Sequence, residues 1–234
     1  MLESSQFLIR IPIMKKIIKL SQSSFIKWYV LLCILYILFL VIDHNFIFSE
    51  AIYMKSLGAN NLNANKLQTL VASFRNSFLS SMALTPIAIL AQVLLVSFCL
   101  FIGFVLRDIK TPLIKLMEVV TKSLIIFPIM DILSATILIS TQKINTIQDT
   151  QKPTWFSLMF FFNEYQIPKW LIYPLKTVSI TEFLFVFLLM YNLYLMCDNS
   201  MNGNKIVYRT AALSYFLGLV FWVTFIVFLQ ISIS

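Results

Sequence analysis

Charge is what this chain has least of. Only 12% of its 234 residues are Asp, Glu, Lys or Arg, against about 25% in an ordinary soluble domain. Half that charge cannot solvate the surface of a globule this size, so a water-soluble fold is excluded first. Histidine occurs once, as His44, and a zinc or haem centre built on it would lack partners. The three cysteines, Cys33, Cys99 and Cys197, lie far apart inside apolar runs. They form no Cys-x-x-Cys pair, so neither a metal site nor a disulfide-linked partner follows. The sequence has no Gly-x-x-x-x-Gly-Lys phosphate loop, no His-Glu-x-x-His, no Gly-x-Ser-x-Gly elbow and no paired-glutamate protease motif. Without a nucleophile–base set, neither an enzyme nor a cofactor is expected.

What is present is apolar and comes in long runs. Hydrophobic residues make up 59% of the chain, with a mean hydropathy of +0.87. A surface facing lipid needs no charge. The expected fold class is therefore all-α: a polytopic membrane helical bundle of about five transmembrane helices. About 20 residues at ~1.5 Å each cross a hydrocarbon core of ~30 Å. The runs at about 25–42, 82–106, 123–140, 178–197 and 207–229 meet that length or approach it. They form one transmembrane domain, 25–234, because no polar block is long enough to build its own core. Basic residues followed by an uncharged run make the first span look like a signal peptide. No small-residue cleavage site follows it, so an uncleaved helix is expected.

A basic, amphipathic segment at 1–24 precedes the first span. Around it Arg10, Lys15, Lys16, Lys19 and Lys27 oppose only Glu3. A short helix on an anionic leaflet suits this pattern, and so does a basic flank that only fixes topology. The connections are informative too. Leu67, Leu70, Val71, Phe74 and Phe78 repeat at helical spacing and predict an amphipathic helix feeding the second span. A second amphipathic segment, 113–122, carries Lys115, Glu118 and Lys122 ahead of the third. The loop 153–174 is rich in aromatics and proline, and is expected on or dipping into the membrane surface. A turn over 198–204 is short enough to make the last two spans antiparallel neighbours.

Orientation follows from the cations. With the N-terminus inside, the inner segments hold the five bases above, then Arg107, Lys110, Lys115, Lys122, Lys205 and Arg209. The remaining seven are spread over two outer loops of nearly 40 residues each. The inner density is higher, which predicts N-terminus in and C-terminus out. Bases at span ends meet lipid headgroups and form no stripe for nucleic acid.

Three intramembrane polar residues need an account. Asp131 falls mid-span, where a carboxylate costs about 2.5–3.5 kcal/mol on insertion scales. It is either an ion or proton site or a buried acid holding helices together, beside Ser134, Thr136 or a polar group on another span. Glu182 lies near the start of the fourth span, where the helix dipole favours an acid. Asn192, deeper in that span, is expected to bond between helices. Ser214 and Gly218 form one small-xxx-small pair that would let helices approach closely.

The order of parts resembles a known family. A basic segment precedes the first span, and an amphipathic helix leads into the second. The stretch from Arg107-Asp-Ile-Lys-Thr-Pro through Ser-Leu-Ile-Ile-Phe-Pro128 follows. Two closely joined final spans run from Ile180-Thr-Glu-Phe-Leu-Phe-Val-Phe to Phe221-Trp222. Over about 25–229 this is similar to the Yip family of five-span membrane proteins, named for interaction with Ypt/Rab GTPases, and to its bacterial branch. The resemblance implies a bacterial cytoplasmic (inner) membrane, a cytoplasmic N-terminus and no established catalytic residues. The expected role is a non-catalytic assembly, scaffold or accessory subunit, with the lipid bilayer and other membrane proteins as partners. The rival expectation is a small transporter or permease subunit with Asp131 in a polar path.

Overall fold

The computed structural model describes residues 24–47, 64–141, 156–162, 167–196 and 201–233. Arg10, Lys15, Lys16 and Lys19 lie outside the described residues. Lys27 is exposed in the first helix.

Among the described residues seven α-helices carry the fold: α1 (Ser24–Ile42), α2 (Ala64–Val105), α3 (Leu113–Leu124), α4 (Ile126–Thr141), α5 (Lys169–Thr177), α6 (Ile180–Met196) and α7 (Met201–Ile233). A π-helical turn, Asp43–Ile47, extends α1, and a 3-10 turn, Leu158–Phe161, precedes α5. No strand occurs among the described residues. Among these residues four stretches are long and apolar enough to cross a membrane: Phe25–Phe46, Arg75–Val105, Leu113–Ser140 and Ile206–Ser232. The stretch Ile180–Met196 is apolar but shorter.

The structure redraws three of the expected boundaries. The amphipathic helix at 67–78 and the second span are one helix, α2. Residues 79–82 contain no glycine or proline to break it. Its hydroxyls turn inward on the helix: Ser77 donates to the Ser73 carbonyl, Ser81 to Ser77 and Thr85 to Ser81, at 2.7–3.1 Å. Polar side chains satisfied this way are tolerated where water is absent. Pro86 sits inside the helix. It withholds one N–H from the Met82 carbonyl, a cost that neighbouring helices can absorb.

The third span, expected over 123–140, begins instead at Leu113. It is broken between α3 and α4 at Ile125. Pro128 explains the break: its ring clashes with the carbonyl four residues back, that of Leu124, and offers it no donor. The short helix α3 is the hub of the bundle, in contact with α1, α2 and α6. Leu116, Val119, Val120, Thr121, Ser123 and Leu124 are all buried. The charges stay on its other face, where Lys122 Nζ meets Glu118 Oε1 at 2.7 Å and lies 5.5 Å from the Trp28 ring centroid.

The fourth span, expected over 178–197, is only 17 residues as α6. That is about 25 Å, short of a ~30 Å core. It is preceded by α5, separated from it at Val178–Ser179. Together α5 and α6 run alongside α7. Tyr194 faces Tyr208 at 6.4 Å between ring centroids, Glu182 meets Tyr215, and Tyr173 meets Trp222. One number falls as the other rises, so the broken helix is the antiparallel partner of α7. The aromatic loop fastens the break. Leu158 N–H donates to the Val178 carbonyl at 2.9 Å and Ile180 N–H to the Phe156 carbonyl at 2.7 Å. Residues 201–204, expected in a turn, belong to α7.

Helices α2 and α7 approach each other closely. A Cβ built on Gly103 would lie 1.7 Å from Ser214 Oγ, and one on Gly218 would lie 2.9 Å from Cys99 Sγ. The pair Ser214/Gly218 therefore meets a second pair at the same spacing, Cys99/Gly103. Small residues on both sides let the two helices touch without a ridge between them.

Candidate functional site

The three polar candidates occupy three separate places. Asp131 is half-buried on α4. It lies within electrostatic reach of Asp43, in the π-helical turn, and of Tyr36 on α1. The hydroxyls expected beside it serve their own helix. Ser134 donates to the Met130 carbonyl and Thr136 to the Ile132 carbonyl, both at 2.8 Å. Asn192 ties α6 to the hub: its Nδ2 donates to Ser123 Oγ at 3.0 Å. Ser123 in turn donates to the Val119 carbonyl at 2.9 Å.

Glu182 occupies a different setting. It sits in the first turn of α6, and its backbone N–H donates to Ser179 Oγ at 3.2 Å. Ser179-Ile-Thr-Glu182 has the spacing of a capping box, a sequence signal for this helix start that the apolar pattern alone does not give. The Glu182 side chain does not complete the box. Its Oε1 instead accepts from the Tyr215 hydroxyl on α7. No described residue donates to Oε2.

Beside this pair is a cavity of about 520 Å³. It adjoins the close contact of α2 and α7, taking in Cys99 and Gly218, and extends to Ala88, Ala91 and Trp222. Ala88, Ala91 and Gln92 form one wall. Phe127, Phe185 and Tyr215 form an aromatic floor, with ring centroids 5.4 Å and 5.1 Å apart along the series. Trp222 Nε1 donates to the Tyr173 hydroxyl at 3.0 Å across the upper rim. The volume is in the range of small-molecule pockets, about 300–1,000 Å³, and the lining is of the same kind: mostly apolar with a few polar groups.

Sequence reading finds Glu182 but not its partners. Tyr215, Tyr173 and Trp222 read as ordinary aromatic residues of membrane segments. Only the antiparallel register of the broken helix against α7 brings them to one place. Asp131 and Asn192 do not line this cavity. Among the described residues, no group of three or more His, Cys, Asp or Glu side chains is placed to hold a metal ion. Compared with protein-family models, with curated proteins and with solved structures, the chain matches none.

Proposed function

We propose that this chain is a five-crossing integral membrane protein of the Yip-like type. It sits in a bacterial cytoplasmic membrane with its N-terminus inside and its C-terminus outside. Its role is that of a non-catalytic assembly, scaffold or accessory subunit whose partners are other membrane proteins.

Helix direction supports the crossing count. Tyr29 meets the Pro86 carbonyl at 2.6 Å and His44 stacks on Phe78, so α1 and α2 are antiparallel. Trp28 is near Lys122 and Asp43 near Asp131, so α3–α4 follows α1. The broken helix α5–α6 and α7 are antiparallel, as are α2 and α7. Directions thus alternate through five segments, with α5–α6 completing the fourth crossing. The observation that carries the role is how the polar groups are used. Asn192 with Ser123 and Glu182 with Tyr215 join one helix to another, which is what an assembly module requires of them.

A topology experiment tests the frame. In a cysteine-free background, Leu2→Cys and Ser232→Cys are each labelled with a membrane-impermeant maleimide. Labelling from opposite faces is expected, and labelling of both from one face removes the five-crossing reading. Extraction in native lipid discs tests the role: a discrete complex larger than one chain is expected, and a lone chain overturns it.

The proximity of Asp131, Asp43 and Tyr36 favours the second reading, a transporter or permease subunit. Reconstituted vesicles would then show a cation or proton flux that Asp131→Asn abolishes. An Asp131→Asn protein that conducts as the parent does removes that reading.

A further inference from the structure

We propose that the cavity between α2, α6 and α7 is a binding site for a lipophilic ammonium: a membrane-dissolved amphiphile with a cationic amine head and an apolar body. This goes beyond the assembly role and needs only that the bundle be embedded in lipid.

Charge comes first. Among the described residues that line the cavity, Glu182 is the only carboxylic acid, and none is Lys, Arg or His. Lys169 and Lys176 line a neighbouring groove that shares Tyr173 with the cavity, on the side of α5 that faces Ile226, Leu229 and Gln230. A carboxylate with one oxygen engaged by Tyr215 and the other open to an apolar cavity calls for a cation or a donor. Rings come next. Tyr173, Tyr215 and Trp222 all belong to the wall that holds Glu182. Aromatic faces grouped around a negative charge are the usual means of recognising an ammonium, because each ring presents its negative π face. The apolar remainder, Ala88, Ala91, Leu95 and Leu219, suits an alkyl or aryl body. Access is the third point. Ala88, Ala91, Gln92, Leu95 and Trp222 are exposed, so the cavity opens on the outer surface of the bundle. A ligand dissolved in lipid enters laterally, without crossing the polar ends.

The test uses the full chain in lipid nanodiscs and three probes with the same tail: dodecyltrimethylammonium, dodecanol and dodecyl sulfate. Saturable binding of the ammonium is expected, with the alcohol and the sulfate at least about tenfold weaker, the effect of one charge-assisted contact. Glu182→Gln keeps an acceptor for Tyr215 and is expected to bring the ammonium down to the level of the alcohol. Ala91→Phe fills the wall and is expected to reduce the ammonium and the alcohol together. Equal binding of ammonium and alcohol overturns the proposal, as does ammonium binding unchanged in Glu182→Gln. Absence of saturable binding in correctly inserted protein overturns it too, while leaving the five-crossing frame untouched. If Glu182→Gln fails to fold, the parent chain's discrimination between ammonium and alcohol, with the binding of both reduced in Ala91→Phe, decides the matter.

Discussion

The two most different helices are α3 and α7. The first is twelve residues long, carries three charged side chains and is the most enclosed element of the bundle. The second is 33 residues long and almost wholly apolar over its span. Only 6% of its best membrane window is buried within the protein. In a water-soluble protein the order would be reversed, with the apolar helix inside and the mixed one at the surface. The contrast teaches that the bundle is organised by packing and polar contacts, while apolarity is spent on the outer surface. That arrangement is stable only where the outer solvent is itself apolar, because association in lipid draws on close fit and hydrogen bonds.

Substitutions of single apolar residues test the contrast most strongly. Leu116→Ala, at a fully buried position in the first turn of α3, leaves a void that the bundle cannot close. It is expected to cost about 2–5 kcal/mol. Phe221→Ala, on the outer face of α7 where the side chain is 73% exposed, is expected to change stability by less than about 0.5 kcal/mol. Thermal unfolding in detergent micelles reads both, and equal losses at the two sites would abolish the distinction between them.

The α2–α7 contact is the next largest. Gly103→Ala places a methyl against Ser214 and is expected to destabilise by about 1–3 kcal/mol, as overpacking does. Adding Ser214→Gly should recover most of that loss. If the double variant unfolds no later than the single one, the close approach is not what the glycine serves. A smaller effect is expected of Asn192→Leu, which removes the tie from α6 to Ser123. In-membrane hydrogen bonds of this kind contribute about 0.6–2 kcal/mol. Trypsin resistance of the membrane-inserted chain would report it, and unchanged resistance would mean the bond is dispensable.

The smallest effect is a gain. Asp108 ends α2 with φ at 55°, in the left-handed region. Ile109 N–H donates to the Phe104 carbonyl at 2.9 Å and Asp108 N–H to the Val105 carbonyl at 3.1 Å. That is a Schellman ending, whose left-handed position favours glycine. Asp108→Gly is expected to stabilise the chain by about 0.5 kcal/mol, seen as a slightly higher midpoint in the same melting experiment.

Much of this was legible in advance, and the reasons are local. An uncharged run of 20 residues has one physical meaning, so the helical membrane class and the approximate span centres were readable from composition and length. The placement of Asn192 and Glu182 within their helix was readable as well. Boundaries were less so. The amphipathic pattern of 113–122 is the pattern of a surface helix in water, and nothing in it says that the buried side will be shared by α1, α2 and α6. The fourth span was read from its apolar run alone, and that run does not show that Lys169–Thr177 also packs along α7. The cavity was the least visible, because it forms only where α2, α6 and α7 meet, and no single segment carries its pattern.

The interruption between α5 and α6 has a consequence for biogenesis. A segment of 17 residues is a weak candidate for independent release into lipid, and the chain at its start is held by two backbone bonds, Leu158 N–H to the Val178 carbonyl and Ile180 N–H to the Phe156 carbonyl. Its placement therefore depends on a loop made earlier and on α7, which is made later. The last three helices are expected to settle as one unit, after the ribosome has passed α7. A nascent chain halted at residue 197 should leave 169–196 open to aqueous cysteine reagents, and the finished chain should shield it.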